Sequence, residues 1–242
     1  MMTWQAEKGR VSQTFTDAVR KWNMAVFTSA GNDGPALSSL GAPGHLTAPI
    51  TVGAYISPPM MTDQYRWGHT LPSHHHTTPP SHRALCTGAH PHPPSSLSLY
   101  SMLQEPVDAT SYSFSSRGPT PDGYLPTLCA PGGAIAPVPR HTLQGKAQYH
   151  GTSMSSPNAC GVAACVLSAL RQAGIEINPI ELRRALENSA TPVPTADPFA
   201  QGAGLINGPA AVAYATEHHG KPVRDRDVGG MDEYPPPSPP AL

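Results

Sequence analysis

The sequence has no long apolar run, no block of like charge and no paired-cysteine motif. Its longest apolar stretch, residues 162–170, falls far short of the ~20 residues that span a bilayer, so no membrane segment is expected. The opening residues, "MMTWQAEKGR", hold no apolar core, and no secretory signal is expected there. Lysine and arginine number 15 against 16 aspartates and glutamates, with no long run of one sign. Nucleic acid and anionic membrane surfaces are held by clustered charge, so neither is expected as a partner. The four cysteines, Cys86, Cys129, Cys160 and Cys165, lack CxxC spacing, and the last two fall on different sides of a helix. Free buried thiols in a reducing, cytoplasmic setting fit them better than a disulfide or zinc framework.

Proline, in contrast, is abundant: 30 of 242 residues, against a usual ~5%. Its uneven spread organises the chain. Residues 66–99 hold seven of the twelve histidines and six prolines, and no helical or strand period survives there. A disordered insertion is expected over 66–99, and a disordered proline-rich tail over 221–242.

Elsewhere the pattern alternates. In "VSQTFTDAVRKW", Val11, Phe15, Val19 and Trp22 recur at helical steps, and the short apolar "MAVF" that follows suits a buried parallel strand. "APITVGAYI" and "YLPTLCAPGG" read as two more strands. Residues 158–170 are apolar on nearly every face, which predicts a buried helix ended by Gly174. "NPIELRRALENSA" opens with a capping asparagine, Asn178, a first-turn proline, Pro179, and Glu181 three residues after the cap. A last short helix is expected over 209–216. Helices alternating with short apolar strands argue for an α/β fold with a largely parallel sheet.

Two loops carry candidate chemistry. "HGTSM" sets Ser153 just before the long helix, whose free N–H groups and positive dipole end favour negative charge forming nearby. A serine there can attack a carbonyl while its own N–H holds the oxyanion, and Gly151 permits close approach. Taken alone, a helix N-cap is the commoner role for such a residue. "SAGNDGP" places Asn32 beyond the carboxyl end of a predicted strand, where ligands bind in open α/β sheets. Its amide can donate to an oxyanion, although a turn is the commoner use of asparagine before glycine. "SSRGP" and "CAPGG" read as turns without chemistry of their own.

The order of these motifs is more specific than any one of them. "SAGNDGP", "SSRGP", "APGG" and "GTSMSSPNACG", in that sequence, resemble the C-terminal half of the subtilisin-type serine peptidase domain. Longer stretches such as "GRVSQTFTDAVRKWNMAVFTSAGNDGP" and "RRALENSATPV" are similar to the tripeptidyl-peptidase II group of that family. The resemblance covers about residues 9–65 and 100–216. It implies a partial subtilisin-like domain over 1–220, with a largely parallel sheet, flanking helices and the N-terminal part of the domain missing. It implies Ser153 as nucleophile, with Asn32 and the Ser153 N–H as oxyanion donors. Ser29, Ala30, Gly31, Gly151 and Thr152 then line the substrate cleft, and no cofactor or metal is required. The implied partners are peptides, cut to release N-terminal tripeptides, with homo-oligomers in full-length relatives.

The family orders its triad aspartate, histidine, serine, the first two preceding the asparagine loop. Residues 1–31 hold no histidine and a single aspartate, Asp17, within the predicted helix. His150 adjoins the Gly-Thr-Ser run, but neighbouring side chains diverge. The His74–His75–His76 cluster comes in the wrong order. A catalytically inactive fragment and a general subtilisin-type endopeptidase therefore stand as alternatives. Residues 66–99 are either a genuine insertion or a retained intron.

Overall fold

The computed structural model describes residues 9–65, 108–135 and 148–220. The insertion expected at 66–99 and the tail expected at 221–242 lie outside them. Residues Met1–Ile56 and Ala109–Leu242 form one compact unit, and Ser57–Asp108 form another. In the second, the described element is a helix, α2 (Pro58–Tyr65).

In the first unit the central strand is β2 (Ile50–Ile56), flanked in parallel by β1 (Phe27–Ser29) and β4 (Leu128–Pro131). β3 (Thr110–Ser111) pairs antiparallel with the end of β2. The sequence "ITVGAYI" suits the central place, because a strand covered on both faces must be apolar on both. All of its residues except Tyr55 are buried. The outer edge of β4 is closed by residues 204–206, through Cys129 N–H to Gly204 O and Ile206 N–H to Cys129 O. Among the described residues, no strand pairs with the outer edge of β1. β5 (Gly133–Ile135) and β6 (Gln148–His150) form a separate antiparallel pair that leads into the long helix.

That helix, α3 (Thr152–Gln172), lays Ala159, Ala163, Val166 and Leu170 against Ile50, Val52, Leu128 and Ala130 of the sheet. The steps of four, three and four keep one stripe inward, and the two alanines permit close approach. The helices α4 (Pro179–Ser189) and α6 (Gly208–His218) complete this core with Leu182, Ala185, Leu186, Ala211 and Ala215. On the opposite sheet face lies the short helix α5 (Pro198–Gln201). There, a Cβ on Gly53 would stand 2.4 Å from the Ala200 carbonyl oxygen, so that contact admits only glycine.

Three expectations need correction. α3 is not buried on nearly every face: Cys160, Ala164 and Cys165 are exposed, since no described element packs on their side. Of the described thiols, only Cys129 is buried. α1 (Arg10–Arg20) forms but ends before Trp22; it buries Ser12, Ala18 and Val19 and leaves Val11 more than half exposed, as is Trp22 beyond its end. Helical period fixes that a helix exists; its neighbours fix which stripe is covered. The α4 start matches its sequence reading. Asn178 Oδ1 accepts from the N–H groups of Ile180 and Glu181 at 2.9 Å, and Glu181 Oε2 accepts from Asn178 N–H at 2.8 Å.

Candidate active site

Three chain segments meet at the N-terminus of α3. The first leaves β1 through Ser29 and the wholly buried Ala30, whose N–H donates to Val52 O. It turns at Gly31, where φ is +107°, a region that disfavours any side chain. A Cβ there would also stand 2.7 Å from Ser116 Oγ. The turn presents Asn32.

The second segment is the helix start itself. Gly151 N–H donates to Gly132 O at 2.8 Å, anchoring the entry to α3. Thr152 is completely buried, and its N–H and its hydroxyl both reach Asn32 Oδ1 at 3.0 Å. The same hydroxyl accepts from Gly31 N–H at 3.3 Å. With both donors on Oδ1, the amide orientation is fixed, and Nδ2 lies on the Gly151 side, 3.4 Å from where a Cβ on Gly151 would sit. Gly151 therefore leaves room beside a side-chain N–H donor.

Ser153 follows Thr152 and is exposed in the first turn. Its N–H is among those that a helix cannot satisfy internally. Four residues on, Pro157 has no N–H to return to the Ser153 carbonyl, so the first turn is less tied than the rest. Among the described residues, none hydrogen-bonds the Ser153 hydroxyl. The positive end of this 21-residue helix lies at the same turn.

The third segment is "SSRGP". Ser115 Oγ accepts from Ala54 N–H, and Ser116 Oγ from Asp33 N–H, each at 3.0 Å. Ser116 N–H donates to Gly31 O at 3.0 Å, and Gly34 N–H to Phe114 O at 2.9 Å. Arg117 pairs with Asp197 at 2.6 Å, and Asp197 also caps α5 by accepting from Phe199 N–H. A sequence reading of this segment as a bare turn misses these bonds. The one signal was two adjacent small hydroxyl residues ahead of Arg-Gly-Pro.

The structure thus gathers Asn32, Gly31, Gly151, Thr152 and Ser153, with Ser29 and Ala30 at the strand end. Thr152 and Ala30 have no exposed surface, so neither side chain reaches a substrate. Among the described residues, no acid–base pair is gathered with them. Asp17 lies on α1, bonded by Gln13 at 2.8 Å and Lys21 at 3.1 Å, and these bonds, Gln13 first, hold its carboxyl below the usual range. The exposed His150 ends β6 with its ring 6.1 Å from that of Tyr112. The His74–His75–His76 cluster lies outside the described residues. Cys129 is no rival nucleophile, because burial pushes its thiol up to about 12. No described helix is long and apolar enough to cross a membrane.

Comparisons with known proteins identify the family. The pattern of the subtilase family matches residues 3–204. Tripeptidyl-peptidase 2 of Arabidopsis thaliana is 39% identical over 218 residues, covering 88% of this chain and 13% of that protein. Its counterpart in Oryza sativa is 37% identical over 213 residues, covering 86% and 13%. A crystal structure of tripeptidyl peptidase 2 superposes with a TM-score of 0.56 at 30% identity, over 88% of this chain and 13% of that one. The chain therefore spans 13% of the length of these relatives. From its motifs in order, its sheet and its helix-borne serine, the chain belongs to the subtilase family of serine peptidases.

Proposed function

We propose that this chain carries the nucleophile and the oxyanion site of a peptidase that releases tripeptides from peptide N-termini. Ser153 Oγ attacks the peptide carbonyl, its proton passes to a base, and an acyl-enzyme forms as the amine leaves. Asn32 Nδ2 and the Ser153 N–H hold the carbonyl oxygen as it becomes an oxyanion. Gly151 leaves room for the substrate backbone, Ser29, Ala30 and Gly31 form the wall through their main chain, and Thr152 acts on Asn32. No metal or organic cofactor enters these steps. The reading includes residues 1–220 as one peptidase domain, a cytoplasmic location and homo-oligomers of the longer protein. One observation supports it most: Thr152 holds Asn32 Oδ1 with two donors and so leaves Nδ2 on the side of Gly151, two residues before Ser153.

A second reading, a catalytically inactive fragment, is favoured by the Ser153 hydroxyl having no hydrogen-bond partner among the described residues. A general endopeptidase of the same mechanism differs only in lacking a site for the free amine. A fluorescent fluorophosphonate separates the first two, applied to the folded chain and its Ser153→Ala variant. Labelling that depends on Ser153 supports the peptidase. A chain that melts cooperatively but takes no label supports the inactive fragment.

A further inference from the structure

Asn32 can serve an oxyanion only if both ends of the residue are fixed. Thr152 fixes the amide end. The two peptide groups that flank Asn32 are held by a single residue of another loop. Ser116 N–H donates to the carbonyl of Gly31, immediately before Asn32, and Ser116 Oγ accepts from the N–H of Asp33, immediately after it, both at 3.0 Å. Ser116 has no exposed surface, and the space beside Gly31 is filled by its own Oγ. The segment from 31 to 33 is therefore bracketed and cannot slide toward Ser116.

From this bracket we infer that Ser116 is a positioning residue for Asn32, setting the side-chain amide where the oxyanion forms. The inference deepens the proposed function, and it rests on reading Asn32 as the oxyanion donor. Ser115 supplies a natural contrast. It is equally buried and adjacent, yet its Oγ accepts from Ala54 N–H and so pins the loop to β2. The chain of support runs from β2 through Ser115 to the loop, and from the loop through Ser116 to Asn32.

The two hydroxyls differ in what their loss does. Asp33 is exposed, so water can take its N–H when Ser116 Oγ is gone, and the fold is spared while the segment loosens. Ala54 is completely buried, so its N–H would be stranded without Ser115 Oγ, and the fold suffers more. The ranking for stability is therefore the reverse of the ranking for Asn32 order.

The test uses the full chain, labelled with nitrogen-15, and its Ser116→Ala and Ser115→Ala variants. In Ser116→Ala the order parameter of the Asn32 side-chain amide should fall from the rigid range, near ~0.85, to below ~0.6. Exchange of the Asp33 amide should speed by about tenfold or more, equivalent to ~1.4 kcal/mol. Ser115→Ala should melt lower than Ser116→Ala and leave Asn32 ordered. The inference is overturned if Ser116→Ala leaves Asn32 as rigid as in the parent, or if Ser115→Ala loosens it equally. Peptide-aldehyde binding to the parent and to Asn32→Leu tests the oxyanion reading separately. Equal binding by the two would sink that reading while leaving the order measurements to decide the role of Ser116.

Discussion

Replacing Thr152 with valine should loosen the site and cost measurable stability, although shape is nearly conserved. The hydroxyl makes two bonds in a fully buried position, donating to Asn32 Oδ1 at 3.0 Å and accepting from Gly31 N–H at 3.3 Å. Losing the first costs about 1 kcal/mol, the net worth of an ordinary buried bond, because Oδ1 keeps the Thr152 N–H. Losing the second leaves the half-buried Gly31 N–H short of an acceptor, which adds about 1 kcal/mol from the lower end of the usual penalty. The sum, about 2 kcal/mol, corresponds to a fall of roughly 4–8 °C in Tm for a domain of this size.

Thr152→Ser separates the hydroxyl from the methyl. It keeps both bonds and deletes one buried methyl, a loss of about 1 kcal/mol or roughly 2–4 °C. Thermal melts followed by circular dichroism give the three midpoints, and the Asn32 side-chain signals in a nitrogen-15 spectrum report the amide. Only the valine variant should move those signals. A valine variant melting within about 1 °C of the parent would refute the reasoning, as would a serine variant that melts lower than the valine one.

Three further outcomes follow from the same geometry. Asn178→Ala strips the acceptor from the N–H groups of Ile180 and Glu181 and should lower stability by about 1 kcal/mol, read as a Tm shift of roughly 2–4 °C. Gly31→Ala forces a side chain into a +107° φ and sets its Cβ 2.7 Å from Ser116 Oγ, so thermal melts should show a loss of at least ~2 kcal/mol. Cys160 and Cys165 should react with a thiol reagent in the folded chain and Cys129 only on unfolding, as read by peptide mass mapping. Because burial raises the folded Cys129 pKa to about 12, its contribution is whole below the unfolded value of ~8.5 and is lost as pH rises through that window. Cys129→Ala should accordingly flatten the alkaline limb of a stability–pH curve.

Elements whose signals are local were legible in the sequence. The capping box at Asn178 is a statement about four consecutive residues, and it forms as read. β2 announces itself because a strand covered on both faces is largely apolar, here with Thr51 as the exception. Burial phase was not legible. Val11 and Trp22 share the helical period with Val19, yet only Val19 is covered, because the covering surface belongs to elements elsewhere in the chain. The outer face of α3 misled for the same reason: alanine and cysteine suit a buried or an open face equally. The four-residue α5 is too short for any period, and its signal was confined to the capping Asp197 and the proline after it.

The site divides along the same line. Motif order was enough to bring Asn32 and Ser153 together, because each sits at the end of an element that the sheet places. What holds Asn32 was invisible, since Ser116 and Thr152 act on it across 84 and 120 positions of chain. A serine or threonine carries no sign of its distant partner until the fold supplies one.

That division bears on catalysis. Fixing an amide donor such as Asn32 is a packing problem, met here by residues 31–33, 115–116 and 151–153 of a single compact unit. Moving the serine proton is a titration problem, and it needs a histidine and a carboxylate in reach of Ser153. The two can be lost separately. In subtilisin, a member of this same family and the measured case, removing the triad leaves roughly 1,000- to 10,000-fold over water, supplied by binding and the oxyanion site. Removing the asparagine donor alone costs about 100- to 1,000-fold there. If Ser153 in this chain acts without a base, any residual rate comes from binding and the oxyanion site together. Asn32→Leu, at about 100- to 1,000-fold, would then bring that rate to within roughly 1- to 100-fold of water, whereas in a chain with a working base it would leave most of the acceleration in place. The rate that survives Asn32→Leu thus reports whether a base is present, without the base having to be found.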